Sequence, residues 1–347
     1  MTSLDDPRSA IGSGSARRAA PEEPLTRGEF TAHCAAILGN LTRVIDGKAD
    51  EVSMALTVFL AGGHLLMEDV PGTGKTVLAK SLAASVGGSV SRIQFTPDLL
   101  PSDVTGVSVY NQASRDFEFK PGPVFANILI GDEINRASPK TQSALLECME
   151  ERQVSVDGTT HLLPYPFAVV ATQNPVEMEG TYSLPEAQRD RFMARLSLGY
   201  PDERAELEMI RTRDAASPLE ELRPVVGLRE LARMMAYVRS VYVAPPVQEY
   251  VVAIMQATRI DPELRLGGSP RATLQLIAAA KALAAIGDRD FVVPDDIDAL
   301  AVPVLGHRLL PATRLPGRSG AGASHSVTEI VRRIVAATPV PFSGRGD

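Results

Sequence analysis

The sequence lacks the features that mark most metal-binding and disulfide-linked proteins. Only two of its 347 residues are cysteine, Cys34 and Cys148, and neither belongs to a CxxC pair. We therefore expect a reduced, cytoplasmic compartment. The five histidines are scattered singly and show no HExxH spacing, so we predict no transition metal held by protein ligands.

Long apolar runs and blocks of one charge are also missing. No run approaches the roughly 20 apolar residues that a membrane-spanning helix needs, and charges stand where a signal peptide has its apolar core. Lys and Arg number 35 against 42 Asp and Glu, which gives a formal net charge of -7. We therefore expect neither membrane insertion nor nucleic-acid binding.

The sequence does contain enough apolar residues for two domains, since 44% of the 347 residues are hydrophobic. Residues 1–24 are rich in Ser, Gly, Pro, Ala and charge, and we interpret them as a flexible tail. Between Leu25 and Ala61, helical spacing of apolar residues predicts two helices separated by a turn at Asp46-Gly47.

Short apolar runs alternate with helical or turn-rich segments, which predicts an α/β domain with a parallel five-stranded sheet over residues 25–205. These runs are His64–Glu68, Arg92–Phe95, Asn127–Ile130, Phe167–Ala171 and Arg195–Leu198. After about Pro201 helical patterns predict a smaller, all-helical domain over residues 206–347. The helices expected there are Ala205–Arg211, Leu228–Val241, Val247–Thr258, Ala272–Ile286 and Asp295–Leu305.

A glycine-rich loop follows the first predicted strand and precedes a helix. Consecutive backbone N–H groups at a helix N-terminus attract phosphate, so this context predicts a phosphate cradle. The residues expected to bind nucleotide are Pro71, Gly72, Thr73, Gly74, Lys75, Thr76 and Val77. Lys75 would reach the β- and γ-phosphates, and the Thr76 hydroxyl would ligate Mg²⁺. Asp69 stands where the usual GxxxxGK[ST] pattern has glycine, and an accidental Gly-rich turn is the alternative.

Polar residues end two further predicted strands. Asp132 follows Lys75 by 57 residues and is the expected second Mg²⁺ ligand, while Glu133 would polarise the attacking water. Asn174 ends the next strand, and its amide could orient that water, although an Asn before Pro also commonly starts a turn.

Several longer segments resemble the MoxR family of AAA+ ATPases over about residues 25 to 340. They are Glu68–Thr76, Gly131–Ala137, Lys140–Glu147, Met149–Val154, Ala171–Pro175, Leu184–Gln188 and Ser269–Ala272. The resemblance makes Asp69 a tolerated variant of the cradle. It implies an AAA+ P-loop core followed by a helical lid.

The resemblance also implies roles that the residues alone leave open. Asn174 matches sensor 1, and Arg271 matches sensor 2 on the lid. Arg191 resembles the arginine finger that reaches the ATP of a neighbouring subunit, whereas a surface Arg in an i,i+4 pair is the alternative. Arg136 and Arg189 could support or replace Arg191.

Three other segments match parts of the family. Residues 102–123 resemble the helix-2 insert, and residues 153–161, with an Asp-Gly turn, resemble the pre-sensor-1 hairpin. In related ring ATPases such loops face the pore or a partner, and surface hairpins without such a role are the alternative. The adenine-side segment would include Val44, Ile45 and Gly47.

The resemblance implies a ring ATPase, with six subunits expected, that uses ATP and Mg²⁺ to remodel or mature protein clients. A protein with a von Willebrand factor A domain is the partner that the family suggests. One alternative is a Mg-chelatase-like motor subunit or another P-loop enzyme acting with a partner subunit. Another is a nucleotide-gated scaffold with negligible turnover.

Overall fold

The computed structural model describes residues 24–69, 72–173, 182, 184–201, 203–204, 206–207, 218–312 and 326–340. The predicted tail lies outside this part of the chain except for Pro24. Most of the predicted helix Ala205–Arg211 lies outside it too, and the boundary between residues 205 and 206 stays a prediction.

A parallel sheet forms the centre of the first domain and confirms the predicted five strands. They are β1 (Leu65–Glu68), β2 (Val90–Gln94), β5 (Ile128–Asp132), β8 (Ala168–Gln173) and β9 (Ala194–Leu196). Their order in the sheet is β2-β5-β8-β1-β9, and every neighbouring pair is parallel. The carboxyl ends of all five strands therefore meet at one edge, where ligands of α/β proteins bind.

Two antiparallel hairpins extend from this domain. The first pairs β3 (Gly106–Asn111) with β4 (Asp116–Pro121), within the predicted helix-2 insert. The second pairs β6 (Gln153–Val156) with β7 (Thr159–Leu162). Asp157 and Gly158 have positive φ angles of 51° and 77°, which confirms the predicted Asp-Gly turn.

Helices cover both faces of the sheet. They are α1 (Arg27–Val44), α2 (Ala49–Leu60), α3 (Lys75–Ser85), α4 (Pro101–Thr105), α5 (Pro139–Glu151) and α6 (Glu186–Arg189). Helix α1 starts with a capping box, because the Thr26 hydroxyl accepts from Glu29 N while the Glu29 carboxylate accepts from Thr26 N. The predicted break at Asp46-Gly47 falls between α1 and α2, and Gly47 has a φ of 69°.

The second domain is mainly helical. Its helices are α7 (Pro218–Glu221), α8 (Leu228–Ser240), α9 (Pro245–Ile260), α10 (Pro270–Ile286), α11 (Pro294–Leu305) and α12 (Val327–Ala337). The expectation of a purely helical domain is wrong in one detail, since β10 (Leu264–Leu266) pairs with β11 (Leu310–Pro311). Strands of two or three residues are too short to show the alternation by which a sequence predicts a strand.

The second domain packs on α1 and α2 and shares their apolar core. The rings of Phe30 on α1 and Tyr237 on α8 stack with centroids 4.6 Å apart. A separate apolar cluster lies on the other face of the sheet, between β5, β8 and α5. Within the described ranges no helix is long and apolar enough to cross a membrane.

Candidate active site

The glycine-rich loop has the open geometry that a phosphate needs. Gly72 and Gly74 adopt φ angles of 89° and 88°, which residues other than glycine rarely adopt. A Cβ added at Gly72 would meet no atom within 4 Å. Helix α3 begins at Lys75 without a side-chain cap, so its first backbone N–H groups and its dipole suit an anion. Pro71 lies outside the described residues.

Asp69 anchors the start of this loop. Its side chain is buried, with 6% of the residue exposed, and its carboxylate accepts three hydrogen bonds. They come from Ser197 Oγ at 2.7 Å, Leu198 N at 2.6 Å and Gly199 N at 3.1 Å. Asp69 thus ties the loop to the segment after β9, a role that glycine could not fill.

Lys75 lies among carboxylates at the same edge of the sheet. Its Nζ donates to the Asp69 carbonyl at 2.8 Å. Burial lowers the pKa of Lys75, while the nearby Asp69, Asp132 and Glu133 act in the opposite direction. The structure therefore brings the predicted cradle lysine together with both predicted acids.

Asp132 is buried at the end of β5, with 7% of the residue exposed. Arg92 Nε donates to its Oδ2 at 2.6 Å, and Thr172 Oγ1 donates to its Oδ1 at 3.3 Å. Neither partner was predicted from the sequence. The sequence does contain a signal for Arg92. Arg92 and Gln94 lie two residues apart on β2, so they share one face of the sheet, and β2 pairs with β5.

Glu133 has an unusual backbone conformation for a non-glycine residue, with a φ of 56°. Such a left-handed conformation costs of order 1–3 kcal/mol and is common at functional sites. Gln94 Nε2 and Arg136 Nη1 donate to Glu133 Oε2 at 3.0 and 2.8 Å, and Glu133 N donates to Thr172 Oγ1 at 3.0 Å. Arg136, predicted as a possible interface arginine, is thus paired within its own chain.

The predicted adenine-side segment lies against the cradle. A Cβ on Gly74 would come within 3.9 Å of Ile45 Cδ1, and Ile45 is buried. Val44 ends α1 directly before it. Lys48 follows Gly47, and its Nζ would lie 3.9 Å from a Cβ on Gly199. The adenine-side segment therefore also approaches the residues after β9 that bond to Asp69.

Arg191 and Arg271 lie together at the opposite edge of the sheet. Arg191 Nε donates to Glu150 Oε2 at 3.0 Å, and Arg271 Nη2 donates to Glu150 Oε1. Arg191 therefore forms an ion pair with Glu150 of α5, and its Nη1 donates to the carbonyl of Ala187, four residues earlier. Arg189 lies elsewhere, along a cavity that it lines with Arg195 and His307.

Strand β1 sets the separation between these arginines and the cradle of the same chain. Met193 N, two residues after Arg191, donates to His64 O at 2.8 Å, at the start of β1. The cradle begins at Asp69, after the end of β1. At about 3.3 Å per strand residue, the five steps from His64 to Asp69 span roughly 16 Å. Asn174, the predicted sensor 1, lies outside the described residues.

The two hairpins of the first domain form a groove of about 650 Å³. Its lining includes Phe117, Phe119 and His161, and the rings of Phe119 and His161 stack with centroids 3.9 Å apart. Phe117 is exposed. This aromatic surface lies outside the site formed by the cradle and the acids.

Comparison with known proteins agrees with the fold. Residues 64–194 match the ATPase family associated with various cellular activities (AAA), and residues 256–334 match the AAA lid domain. The protein YeaC of Bacillus subtilis is 48% identical over 304 residues, which cover 87% of this chain and 93% of that protein. Chaperone MoxR1 of Mycobacterium tuberculosis is 44% identical over 277 residues, covering 77% of this chain and 73% of that protein.

The chain belongs to the MoxR family of AAA+ ATPases. Protein MoxR of Paracoccus denitrificans is 30% identical over 325 residues, covering 87% and 94% of the two chains. A solved structure from Cytophaga hutchinsonii, of a presumed ATPase, superposes with a TM-score of 0.83 at 36% identity, covering 91% and 97%. Membership of the MoxR family implies nucleotide binding, and AAA+ proteins usually form oligomeric rings.

Proposed function

We propose that this MoxR-family protein hydrolyses ATP to ADP and phosphate with Mg²⁺, at sites completed by neighbouring subunits of a ring. The observation that carries the proposal is the division of charged groups between the two edges of the sheet. The cradle, Asp132 and Glu133 occupy one edge, and Arg191 and Arg271 occupy the other. A cyclic, head-to-tail assembly brings two such different edges face to face.

The residues at the first edge fit a nucleotide with a magnesium ion. The open turn at Gly72 and Gly74 and the uncapped start of α3 suit the phosphates, and Lys75 supplies a positive charge. The hydroxyl of Thr76 and the carboxylate of Asp132 are the oxygen donors that Mg²⁺ prefers. When bound there, Mg²⁺ would neutralise charge on the phosphate oxygens.

Glu133 is the proposed base that polarises the attacking water, and Asn174 is the proposed residue that orients this water. In the structure Gln94 and Arg136 both donate to Glu133 Oε2, so Glu133 would hold the water through Oε1 or after exchanging one of these partners. Its left-handed backbone fixes the direction from which the side chain leaves β5.

Arg191 and Arg271 are proposed to stabilise negative charge on the ATP of the neighbouring subunit. Known arginine fingers that act across an interface accelerate phosphoryl transfer by about 10³ to 10⁵. His64, which accepts from Met193 N near Arg191, lies roughly 16 Å from Asp69 along β1, so we assign the two arginines to the site of the neighbour and not to the cradle of their own chain.

We further propose that hydrolysis shifts the lid and drives the remodelling or maturation of protein clients in the cytoplasm. The name of the relative Chaperone MoxR1 supports this role. A ring of six subunits and a partner with a von Willebrand factor A domain are expected from the family resemblance.

Replacing Glu133 with Gln tests the hydrolytic proposal. The Glu133→Gln variant should bind a fluorescent ATP analogue with unchanged affinity and release no phosphate above background, because the amide cannot accept the proton of water. Glu151→Gln is a matched control that should keep full activity, since among the described residues the Glu151 side chain forms no ion pair or hydrogen bond. Phosphate release by Glu133→Gln at the wild-type rate would refute the assignment.

The same variant tests the role in client remodelling. Held in its ATP state, Glu133→Gln should retain proteins that co-purify with it, and Lys75→Ala, which loses nucleotide binding, should not. Mass spectrometry of both samples identifies the retained proteins. Equal sets of proteins on the two variants would contradict a client cycle that is driven by ATP.

A further inference from the structure

Glu150 lies between the two arginines that are proposed to act across the subunit interface. Its Oε2 accepts from Arg191 Nε at 3.0 Å and lies 2.9 Å from Arg191 Nη2, while its Oε1 accepts from Arg271. Arg191 belongs to the loop before β9, and Arg271 belongs to the first turn of α10 on the lid. A single carboxylate thus joins one arginine from each domain.

The loop that carries Arg191 is also fixed to the lid through its neighbours. Ser269 Oγ donates to the Asp190 carboxylate at 2.9 and 3.0 Å, and the same hydroxyl caps α10. Arg308, a buried lid residue, donates to Phe192 O, and its Nε lies 3.5 Å from Asp190 Oδ1. The backbone positions of both arginines are therefore held in one interdomain unit, and Glu150 sets their side chains.

The contacts of Arg191 leave one edge of its guanidinium available. A guanidinium carries five N–H donors in a fixed plane. Among the described residues Arg191 directs Nε and Nη2 towards Glu150, and Nη1 donates to Ala187 O at 3.0 Å. One N–H remains on each terminal nitrogen, and these two donors are available to phosphate oxygens.

We propose that Glu150 is a positioning residue for the shared ATPase site, and the inference rests on the function proposed above. It sets Arg191 and Arg271 side by side and determines which edge of Arg191 faces the nucleotide of the neighbouring subunit. Because 37% of the Glu150 side chain is exposed, its ion pairs contribute little to folding. Substitution of Glu150 should therefore change catalysis far more than stability.

Mixed rings separate this role from a general structural one. A Lys75→Ala subunit cannot bind nucleotide but keeps its arginines, and an Arg191→Ala subunit binds nucleotide but cannot serve its neighbour. Rings containing both should regain phosphate release. Adding Glu150→Gln to the Lys75→Ala subunit should lower the regained rate about ten- to a hundredfold, as expected for a misplaced catalytic group. Adding it to the Arg191→Ala subunit should leave the rate unchanged.

Two further variants complete the test, with ring composition verified by native mass spectrometry. In the Lys75→Ala subunit, Glu150→Asp keeps the carboxylate and should restore part of the rate, and Glu151→Gln should change nothing. If Glu150→Gln does not change the rate, or changes it equally in the two subunits, the positioning role is overturned and the proposal of a shared site is unaffected. Failure of the unmodified Lys75→Ala and Arg191→Ala mixture to regain activity would refute the shared site, and the inference falls with it.

Discussion

Asp69 offers a quantitative test of how the phosphate loop is held. Replacing it with Gly restores the usual first glycine of the P-loop pattern but removes the acceptor of the bonds from Ser197, Leu198 and Gly199. The Ser197 hydroxyl can rotate to another partner, whereas the two backbone N–H groups cannot. Leu198 is only 2% exposed, so water cannot easily replace the carboxylate.

A buried donor left without an acceptor costs about 1–3 kcal/mol, so the Leu198 N–H predicts a loss of stability of about this size for Asp69→Gly, and the half-buried Gly199 N–H adds a smaller loss. Asp69→Asn keeps one oxygen acceptor and should lose less. Urea unfolding followed by circular dichroism measures the order of the midpoints, which should be wild type, then Asn, then Gly. An Asp69→Gly protein that unfolds at the wild-type urea concentration would refute the anchoring role.

Two other predictions concern the sheet. A Cβ at Gly131 would lie 2.9 Å from Cε2 of the buried Phe95, so Gly131→Ala should destabilise the protein by about 1–3 kcal/mol. Gly39→Ala in α1 is the control, because nothing lies within 4 Å of its added Cβ. This variant should stabilise the protein by up to about 1 kcal/mol. Equal urea midpoints for the two variants would contradict the packing of Gly131 against Phe95. Burial lowers the pKa of His64 to about 4, so the unfolded chain binds an additional proton between about pH 6.5 and 4. The free energy of unfolding should therefore fall as pH drops through this window, and His64 contributes roughly 3 kcal/mol of this fall at most. A His64→Gln variant should show a weaker pH dependence, and an unchanged slope would contradict it.

The sequence predicted the parallel sheet well because its strands are buried on both faces and appear as nearly continuous apolar runs. All five residues of β5 are buried, and the apolar run Asn127–Ile130 predicted that strand. The pair β10 and β11 was missed because two or three residues show no period. Helix α12 was missed as well, although Ser326 and Glu329 form a capping box at its start, a signal that a sequence does contain.

The candidate site was predictable only where neighbouring residues form a motif. Lys75, Asp132 and Glu133 belong to local patterns with known chemistry, and the structure places them together. Glu150 and Gln94 belong to no such pattern. Their roles depend on which residues the fold brings close, since Glu150 meets Arg271 across 121 positions of sequence and Gln94 meets Glu133 across 39.

Phosphate release measured against protein concentration tests the shared site most directly. Nucleotide binding depends on the cradle of one chain, so its affinity should not change when the protein is diluted. Phosphate release per subunit should fall towards zero as the proposed rings dissociate, because the sites that Arg191 and Arg271 are proposed to complete then lose these arginines. A rate per subunit that stays constant down to concentrations where mass photometry shows only monomers would contradict the account.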